Sequence, residues 1–206
     1  TPDPIRGRPG AGDGARGRET PDPILIFAYG SLVADLADRG EPALLRDHRR
    51  VWGVAADNRD AIPGYKRYRR CDDGTFPDVH VAFLDVVAAP GVAVNGLVAE
   101  VTTAELDELD RRERNYDRVA VTAAIDLPHP GPIWTYVGSA AGRERLAEGA
   151  ARGAVVAPRG YRDRVAAAFE ALGAEQAAAF ARSSDLDALP LLDLERVDLP
   201  PAEPPR

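Results

Sequence analysis

The sequence is poor in the residues that build disulfide bonds and metal centres. Cys71 is the only cysteine among 206 residues, which excludes an intrachain disulfide and a site built from several thiolates. The three histidines, His48, His80 and His129, show neither H-x-x-H nor H-E-x-x-H spacing. We therefore expect no metal, and the lone thiol fits a reducing compartment.

Long apolar runs and an excess of positive charge are also missing. No segment approaches the ~18 apolar residues that a membrane span needs, and the first residues lack the apolar part of a signal peptide. The net charge of −7 argues against a nucleic-acid partner. One short basic cluster, residues 66–70, contains the only lysine, Lys66, and is more typical of a solvated loop or strand edge than of a phosphate contact. We expect a cytoplasmic protein that binds neither membranes nor nucleic acids.

Composition divides the chain into one domain between two tails. Residues 1–23 and 198–206 are rich in proline. Residues 1–23 are also rich in glycine and charged residues. Such segments cannot bury enough apolar surface to fold, so we predict that both are disordered. Residues 24–197 are sufficient for a single domain with a sizeable core.

The apolar pattern places strands early and helices late. Predicted strands cover residues 24–28, 51–56, 79–84, 92–101 with a break at Asn95-Gly96, 119–125 and 133–137. Predicted helices cover residues 32–37, 161–172 and 175–182, and a further helix begins after Thr102. Because strands and helices do not alternate regularly, the pattern favours an α+β fold over a doubly wound sheet.

The helix after Thr102 directs a carboxylate toward the core. Thr102 and Glu105 have the spacing of a capping box, which predicts the helix start. At about 100° per residue, Leu109 lies about 60° from Leu106 and Glu113 only about 20° from it. Burial in apolar surroundings raises the pKa of a carboxylate into the range where it can both accept and donate protons. The alternative is that the helix frays near its end and Glu113 meets water.

A second candidate segment, Tyr29-Gly30-Ser31-Leu32, interrupts the first strand. Successive backbone N–H groups in such a turn can bind an anion, although an ordinary strand-to-helix connection has the same pattern. Ser31 is also a conceivable hydrolase nucleophile, but the G-x-S-x-G motif of such enzymes is absent.

Three segments together resemble the gamma-glutamylcyclotransferase-like superfamily, whose members carry an F-x-Y-G-S-x loop, an L-D-x-x-E helix end and a Y-x-R strand. The corresponding segments here are Phe27-Ala28-Tyr29-Gly30-Ser31-Leu32, Leu109-Asp110-Arg111-Arg112-Glu113 and Tyr116-Asp117-Arg118. The resemblance extends from about Ile24 to Val137. It departs from the family at Arg114, where many members have glycine, and at Leu32, where several have asparagine.

The resemblance implies a small mixed β-barrel of about five to seven strands, packed by helices, with one cavity where the loop and the glutamate meet. It implies that Glu113 is the catalytic acid/base and that backbone groups of Tyr29, Gly30, Ser31 and Leu32 hold the substrate. The substrate would be a small γ-glutamyl amide. Its α-amine attacks its own γ-carbonyl and releases 5-oxoproline and the free amine, and no cofactor is required.

Four further side chains are weaker candidates. The hydroxyl of Tyr116 or Tyr136 could orient Glu113 or the substrate, Arg118 could meet a carboxylate, and Asn58 is a polar residue in a nearby loop. Core packing or surface exposure would equally explain them. Three functions stay open: a cyclotransferase, a non-catalytic ligand-binding or regulatory domain, and an amide hydrolase that releases glutamate. The sequence indicates neither the amine half of the substrate nor the oligomeric state.

Overall fold

The computed structural model describes residues 23–129 and 131–201. The strands are β1 Ile24–Ala28, β2 Glu41–Asp57, β3 Lys66–Arg70, β4 His80–Val101, β5 Tyr116–Ala120, β6 Ile133–Gly138, β7 Val155–Pro158, β8 Leu191–Leu192 and β9 Leu194–Asp198. The helices are α1 Leu32–Leu36, α2 Thr103–Arg112, α3 Ala140–Ala151, α4 Arg159–Ala171 and α5 Ala174–Ser183. Most of the two predicted tails, residues 1–22 and 202–206, lies outside the described residues.

Seven strands form one mixed sheet, which confirms the predicted α+β class. The order is β5-β6-β1-β4-β7-β8, and β2 pairs along β4. β1 runs antiparallel to β4 and parallel to β6. Beyond β5, Ile125 forms a single bridge with Leu45 of β2, so the sheet curls toward a barrel. In the described part of the chain no full ladder closes that barrel, and β3 and β9 form a separate two-stranded sheet.

β4 is one strand of 22 residues where the sequence predicted two strands and a break at Asn95-Gly96. A Cβ on Gly96 would lie 2.1 Å from the carbonyl oxygen of Ala28 and 2.7 Å from the ring of Phe27. The buried amide of Asn95 donates to the carbonyl of Gln176 at 3.0 Å. The predicted break is therefore wrong, because this pair of residues serves close packing and not a turn.

The predicted strand over residues 119–125 is also wrong beyond Ala120. Val121 has φ −122° and ψ 11°, and residues Thr122–Ala124 form a 3₁₀ turn. The sequence also missed α3. Its buried residues are Gly142 and Gly149, so it shows no stripe of large apolar side chains.

The ordered chain passes the boundary expected at residue 197. Asp198 pairs with Lys66 at the end of the β3–β9 ladder. The N–H of Leu199 donates to the carbonyl of Tyr65 at 2.7 Å, and the N–H of Gly64 donates to the carbonyl of Pro200 at 2.8 Å. The predicted tail thus begins too early, because backbone hydrogen bonds hold this segment beside the start of β3.

The main core lies between the sheet and the helices that cover it. Buried residues of β1, β4 and α1 form its centre, and the rings of Phe169 in α4 and Phe180 in α5 stack at 4.3 Å between centroids. None of the helices in the described ranges is long and apolar enough to cross a membrane.

Candidate active site

Strand and helix lengths bring Glu113 to the 29–32 loop. In the antiparallel β1–β4 pair, Ala28 faces Leu97 and Ile24 faces Val101, so α2 begins near the start of β1. The ten residues of α2 rise about 15 Å, and the five residues of β1 span about 17 Å. The end of α2 therefore lies beside the loop that follows β1.

The ends of α2 agree with the sequence interpretation in most respects. The Thr102 hydroxyl accepts from the N–H of Glu105 at 3.2 Å, and the Glu105 carboxylate accepts from the N–H of Thr102 at 2.7 Å. Leu106 and Leu109 are buried. The helix ends one residue before Glu113, yet the N–H of Glu113 still donates to the carbonyl of Leu109 at 2.9 Å. The Glu113 side chain is only 16% exposed, so protein covers most of it.

Two adjoining cavities meet at Glu113. The inner crevice, of about 30 Å³, is lined by the 29–32 loop, Glu113, Tyr116, Tyr136 and Tyr161, among others. The outer cleft, of about 310 Å³, shares Ser31, Glu113, Tyr116 and Tyr161 with the crevice. The cleft has the volume of a small-molecule site, whereas the crevice admits only one end of a substrate.

Cationic side chains surround Glu113 on the side of the outer cleft. This lining contains Lys66, Arg112, Arg114, Arg164 and Arg196. The Nε of Arg112 lies 2.9 Å from Oε1 of Glu113, and its Nη1 lies 2.8 Å from Oδ2 of Asp35. The sequence interpretation placed Glu113 on an apolar stripe. The structure adds a guanidinium that balances its charge and fixes its position.

The 29–32 loop lines the inner crevice and carries backbone donors that the fold leaves unused among the described residues. The two N–H groups that follow the loop donate to the carbonyls of Gly30 and Ser31, at 3.0 and 3.2 Å. Within the described residues, the N–H groups of Gly30, Ser31 and Leu32 have no acceptor. They are therefore free to bind a substrate oxygen.

A buried arginine supports this loop from behind. Arg50 is 3% exposed, and its Nε donates to the carbonyl of Tyr29 at 2.9 Å. The guanidinium also donates to the hydroxyl of Ser184 at 2.7 Å and lies 5.0 and 4.6 Å from the ring centroids of Phe169 and Phe180. Burial lowers the pKa of Arg50 to about 9. Sequence reasoning missed this residue because it lies outside the predicted second strand.

Three of the tyrosine hydroxyls around the inner crevice donate to other groups. Tyr116 donates to the carbonyl of Leu84 at 2.7 Å, Tyr136 donates to the carboxylate of Asp110 at 2.6 Å, and Tyr29 donates to the carbonyl of Tyr136 at 2.6 Å. Burial raises the pKa of Tyr29 and of Tyr116 well above the ordinary value, so both stay neutral. Neither Tyr116 nor Tyr136 orients Glu113 through its hydroxyl in this structure; both form walls of the inner crevice.

The structure does not bring Asn58 or Arg118 to either cavity. Asn58 is buried, where its side chain donates to the carbonyl of Tyr68 at 2.8 Å and accepts from the N–H of Tyr68 at 2.7 Å. Arg118 forms an ion pair with Asp110 at 3.2 Å and lies over the ring of Trp134. Both residues therefore support the fold.

A cluster of possible metal ligands lies outside both cavities. Asp57, His80 and Glu148 place their ligand atoms within 4.8 Å of one another. Arg59 already bridges the two carboxylates, at 2.5 Å from Asp57 and 2.6 Å from Glu148. A cation could bind here only if Arg59 withdrew.

Sequence reasoning missed Tyr161 and Lys66 as cavity residues. Tyr161 shares a helical face with Val165 and Phe169, which are fully buried, so its spacing indicated the core side of α4. Lys66 is the only lysine in a chain that otherwise uses arginine, which was a compositional signal.

The fold and site define an α+β domain in which one largely buried carboxylate faces a strand-to-helix loop in a narrow crevice. The chain belongs to the family described as gamma-glutamyl cyclotransferase, AIG2-like, whose sequence profile matches residues 26–152. That match covers more than half of the chain and includes both the loop and Glu113.

Solved structures share this fold. YkqA from Bacillus subtilis has a TM-score of 0.54 at 18% identity, over 82% of this chain and 56% of YkqA. A protein named gamma-glutamyl cyclotransferase has a TM-score of 0.50 at 14% identity, over 82% of this chain and 89% of that one. The uncharacterized protein loc79017 from Homo sapiens has a TM-score of 0.50 at 14% identity, over 84% of this chain and 90% of that one. This chain thus spans little more than half the length of YkqA. A sequence comparison with curated proteins found no match.

Proposed function

We propose that this protein is a γ-glutamylcyclotransferase that converts a small γ-glutamyl amide into 5-oxoproline and the free amine without a cofactor. The observation that carries the proposal is the inner crevice, which is lined by both the largely buried Glu113 and the 29–32 loop, whose N–H groups have no acceptor within the described residues. Membership of the family supports this reaction class.

The reaction requires two proton transfers at one position. Glu113 first takes a proton from the α-ammonium, and the resulting amine attacks the γ-carbonyl of the same molecule. Because nucleophile and electrophile belong to one molecule, a folded pose gives a high effective molarity. When the bond between the γ-carbonyl carbon and the amide nitrogen breaks, protonated Glu113 returns its proton to the leaving amine. The new ring nitrogen gives up its second proton to solvent, which leaves the neutral lactam. Arg112 keeps Asp35 as a partner while Glu113 is neutral.

The loop stabilises the charge that develops between these two steps. Attack on the γ-carbonyl produces a tetrahedral oxyanion, and the N–H groups of Gly30, Ser31 and Leu32 can donate to it. Arg50 fixes the carbonyl that precedes them, so the donors are held in place before the substrate arrives. Positioned donors of this kind contribute most when they do not have to reorganise during the reaction.

The products distinguish this proposal from its alternatives. A panel of γ-glutamyl amines, amino acids and dipeptides would be incubated with the protein, and 5-oxoproline, glutamate and free amine would be quantified. Equal amounts of 5-oxoproline and amine would support the cyclotransferase. Glutamate in place of 5-oxoproline would indicate an amide hydrolase. Saturable binding without any product would indicate a non-catalytic domain.

A further inference from the structure

His80 is a buried imidazole whose two ring nitrogens have no hydrogen-bond partner among the described residues. It is the first residue of β4, and its side chain is fully buried. A neutral imidazole carries one N–H donor and one lone pair, and burying both of them unsatisfied is costly. A group that accepts the lone pair would remove part of this cost.

Two carboxylates flank the same nitrogen of His80. Its Nε2 lies 3.9 Å from Oδ2 of Asp57 and 3.8 Å from Oε2 of Glu148. These separations are too long for hydrogen bonds. A tetrahedral metal ion with bonds of about 2.0–2.1 Å holds its ligand atoms about 3.3 Å apart. The two observed distances exceed that spacing by only about 0.5 Å, so a small movement would bring the three side chains onto one ion.

Three elements of the fold bring these side chains together. Asp57 is the last residue of β2 and faces His80 in the β2–β4 ladder, whereas Glu148 lies on α3. Gly149 allows α3 to approach that ladder closely, because a Cβ there would lie 2.6 Å from the Cβ of His80. The histidine spacing indicated no metal, but a ligand set drawn from three separate elements leaves no local motif in the sequence.

Arg59 holds the two carboxylates through exposed contacts. Its guanidinium donates to Asp57 at 2.5 Å and to Glu148 at 2.6 Å, and a third of the Arg59 side chain is exposed. Exposed ion pairs contribute little to stability, so withdrawal of the guanidinium costs little. Arg59 also supplies one positive charge for two carboxylates and leaves His80 unsatisfied. A divalent cation would balance both carboxylates and accept the imidazole lone pair.

We propose that Asp57, His80 and Glu148 form a binding site for Zn²⁺ and that Arg59 withdraws when the ion binds. Imidazole nitrogen and carboxylate oxygen are ordinary ligands of Zn²⁺, whereas Mg²⁺ and Ca²⁺ prefer oxygen ligands alone. Water completes the coordination, since the Glu148 side chain is half-exposed. The three residues line neither the inner crevice nor the outer cleft, so the ion ties α3 to the ends of β2 and β4 and takes no part in the function proposed above.

The test measures Zn²⁺ binding to the full chain after treatment with a chelator and removal of that chelator. Isothermal titration calorimetry would give the stoichiometry and the affinity, and thermal melting would be recorded with and without the ion. We expect one Zn²⁺ per chain and a melting temperature that rises with Zn²⁺ concentration, because the ion binds the folded state. Mg²⁺ should produce no comparable rise, because it binds imidazole poorly.

Substitutions on opposite sides of the competition should have opposite effects. Glu148→Gln removes a ligand and should weaken Zn²⁺ binding by at least the roughly 10- to 100-fold that loss of an outer-shell partner costs. Arg59→Gln should tighten Zn²⁺ binding, because it removes the competing guanidinium. The matched control is Glu144→Gln, which removes the same charge from an exposed position one turn earlier on α3. It should change the affinity about twofold or less, because interactions between exposed charges are weak.

His80→Gln tests the imidazole directly and should lower the affinity as much as Glu148→Gln. If His80→Gln fails to fold, Glu148→Gln and Arg59→Gln still test the proposal, because both replace exposed side chains.

Several results would refute the site. These are no saturable Zn²⁺ binding, equal weakening in Glu148→Gln and Glu144→Gln, or an affinity that Arg59→Gln leaves unchanged or lowers. A folded His80→Gln variant that binds Zn²⁺ as tightly as the wild type would also refute it. None of these measurements depends on 5-oxoproline release, so failure of this proposal and failure of the cyclotransferase function are distinguishable.

Discussion

Replacing Glu113 with glutamine should preserve the fold and abolish most of the chemistry. Glutamine keeps the size of the side chain but cannot accept the proton of the α-ammonium, and loss of general acid/base catalysis typically costs about 10²–10⁴-fold in rate. The substitution also removes the ion pair with the partly exposed Arg112, which is worth about 0–1 kcal/mol. Arg112 retains Asp35. We therefore expect the melting temperature to fall by no more than about 2–4 °C.

The assay is 5-oxoproline release under saturating substrate, together with thermal unfolding of the same preparation. Glu108→Gln is the control, because Glu108 is exposed on the opposite side of α2 and pairs with Arg111. It should change neither the rate nor the melting temperature measurably. A folded Glu113→Gln variant that forms 5-oxoproline at the wild-type rate would refute the mechanism. So would equal rate losses in both variants.

Three further substitutions or deletions test the support around the site. Gly30→Val should lower kcat/KM at least about 10-fold, because a Cβ there lies 3.4 Å from the Tyr161 hydroxyl and two more methyl groups would fill the crevice. The melting temperature should change little, because the φ of Gly30 is not positive. Kinetics like those of the wild type would remove the loop from the site. Arg50→Met should lower the free energy of unfolding in urea by about 1–3 kcal/mol, because it leaves the carbonyl of Tyr29 without its donor. Deletion of residues 1–23 should alter neither stability nor turnover, because their composition cannot support a core; an unfolded truncated protein would refute that segmentation.

Local chemistry explains what could be predicted from the sequence. The capping box at Thr102, the leucine stripe and the glycine-containing loop depend on neighbouring residues, so they predicted the start of α2, its buried leucines and the turn at residues 29–32. Glu113 and this turn line the inner crevice. Arg112 was visible in the same segment, but its pairing with Glu113 depends on side-chain positions that periodicity does not specify.

Tertiary contacts explain which features could not be predicted from the sequence. Gly96 had the appearance of a turn residue, yet it is required by the approach of β1 across the sheet. The buried positions of α3 are glycines, so its packing left no apolar pattern in the sequence. Lys66 became a cleft residue only through the pairing of β3 with β9, whose partner residues lie about 130 positions later in the chain.

The central position of β4 has a consequence for folding. Ile24 pairs with Val101, so β1 has no antiparallel partner until the ribosome has synthesised residue 101, and its parallel partner, β6, follows only at Ile133. β1, which supports the 29–32 loop, therefore pairs with both β4 and β6 only after residue 133 has been synthesised. Folding dominated by such distant pairings is slow, because the entropy of closing long loops is lost before the contacts form. We expect the nascent chain to acquire protease resistance late, and both cavities to form in the same step.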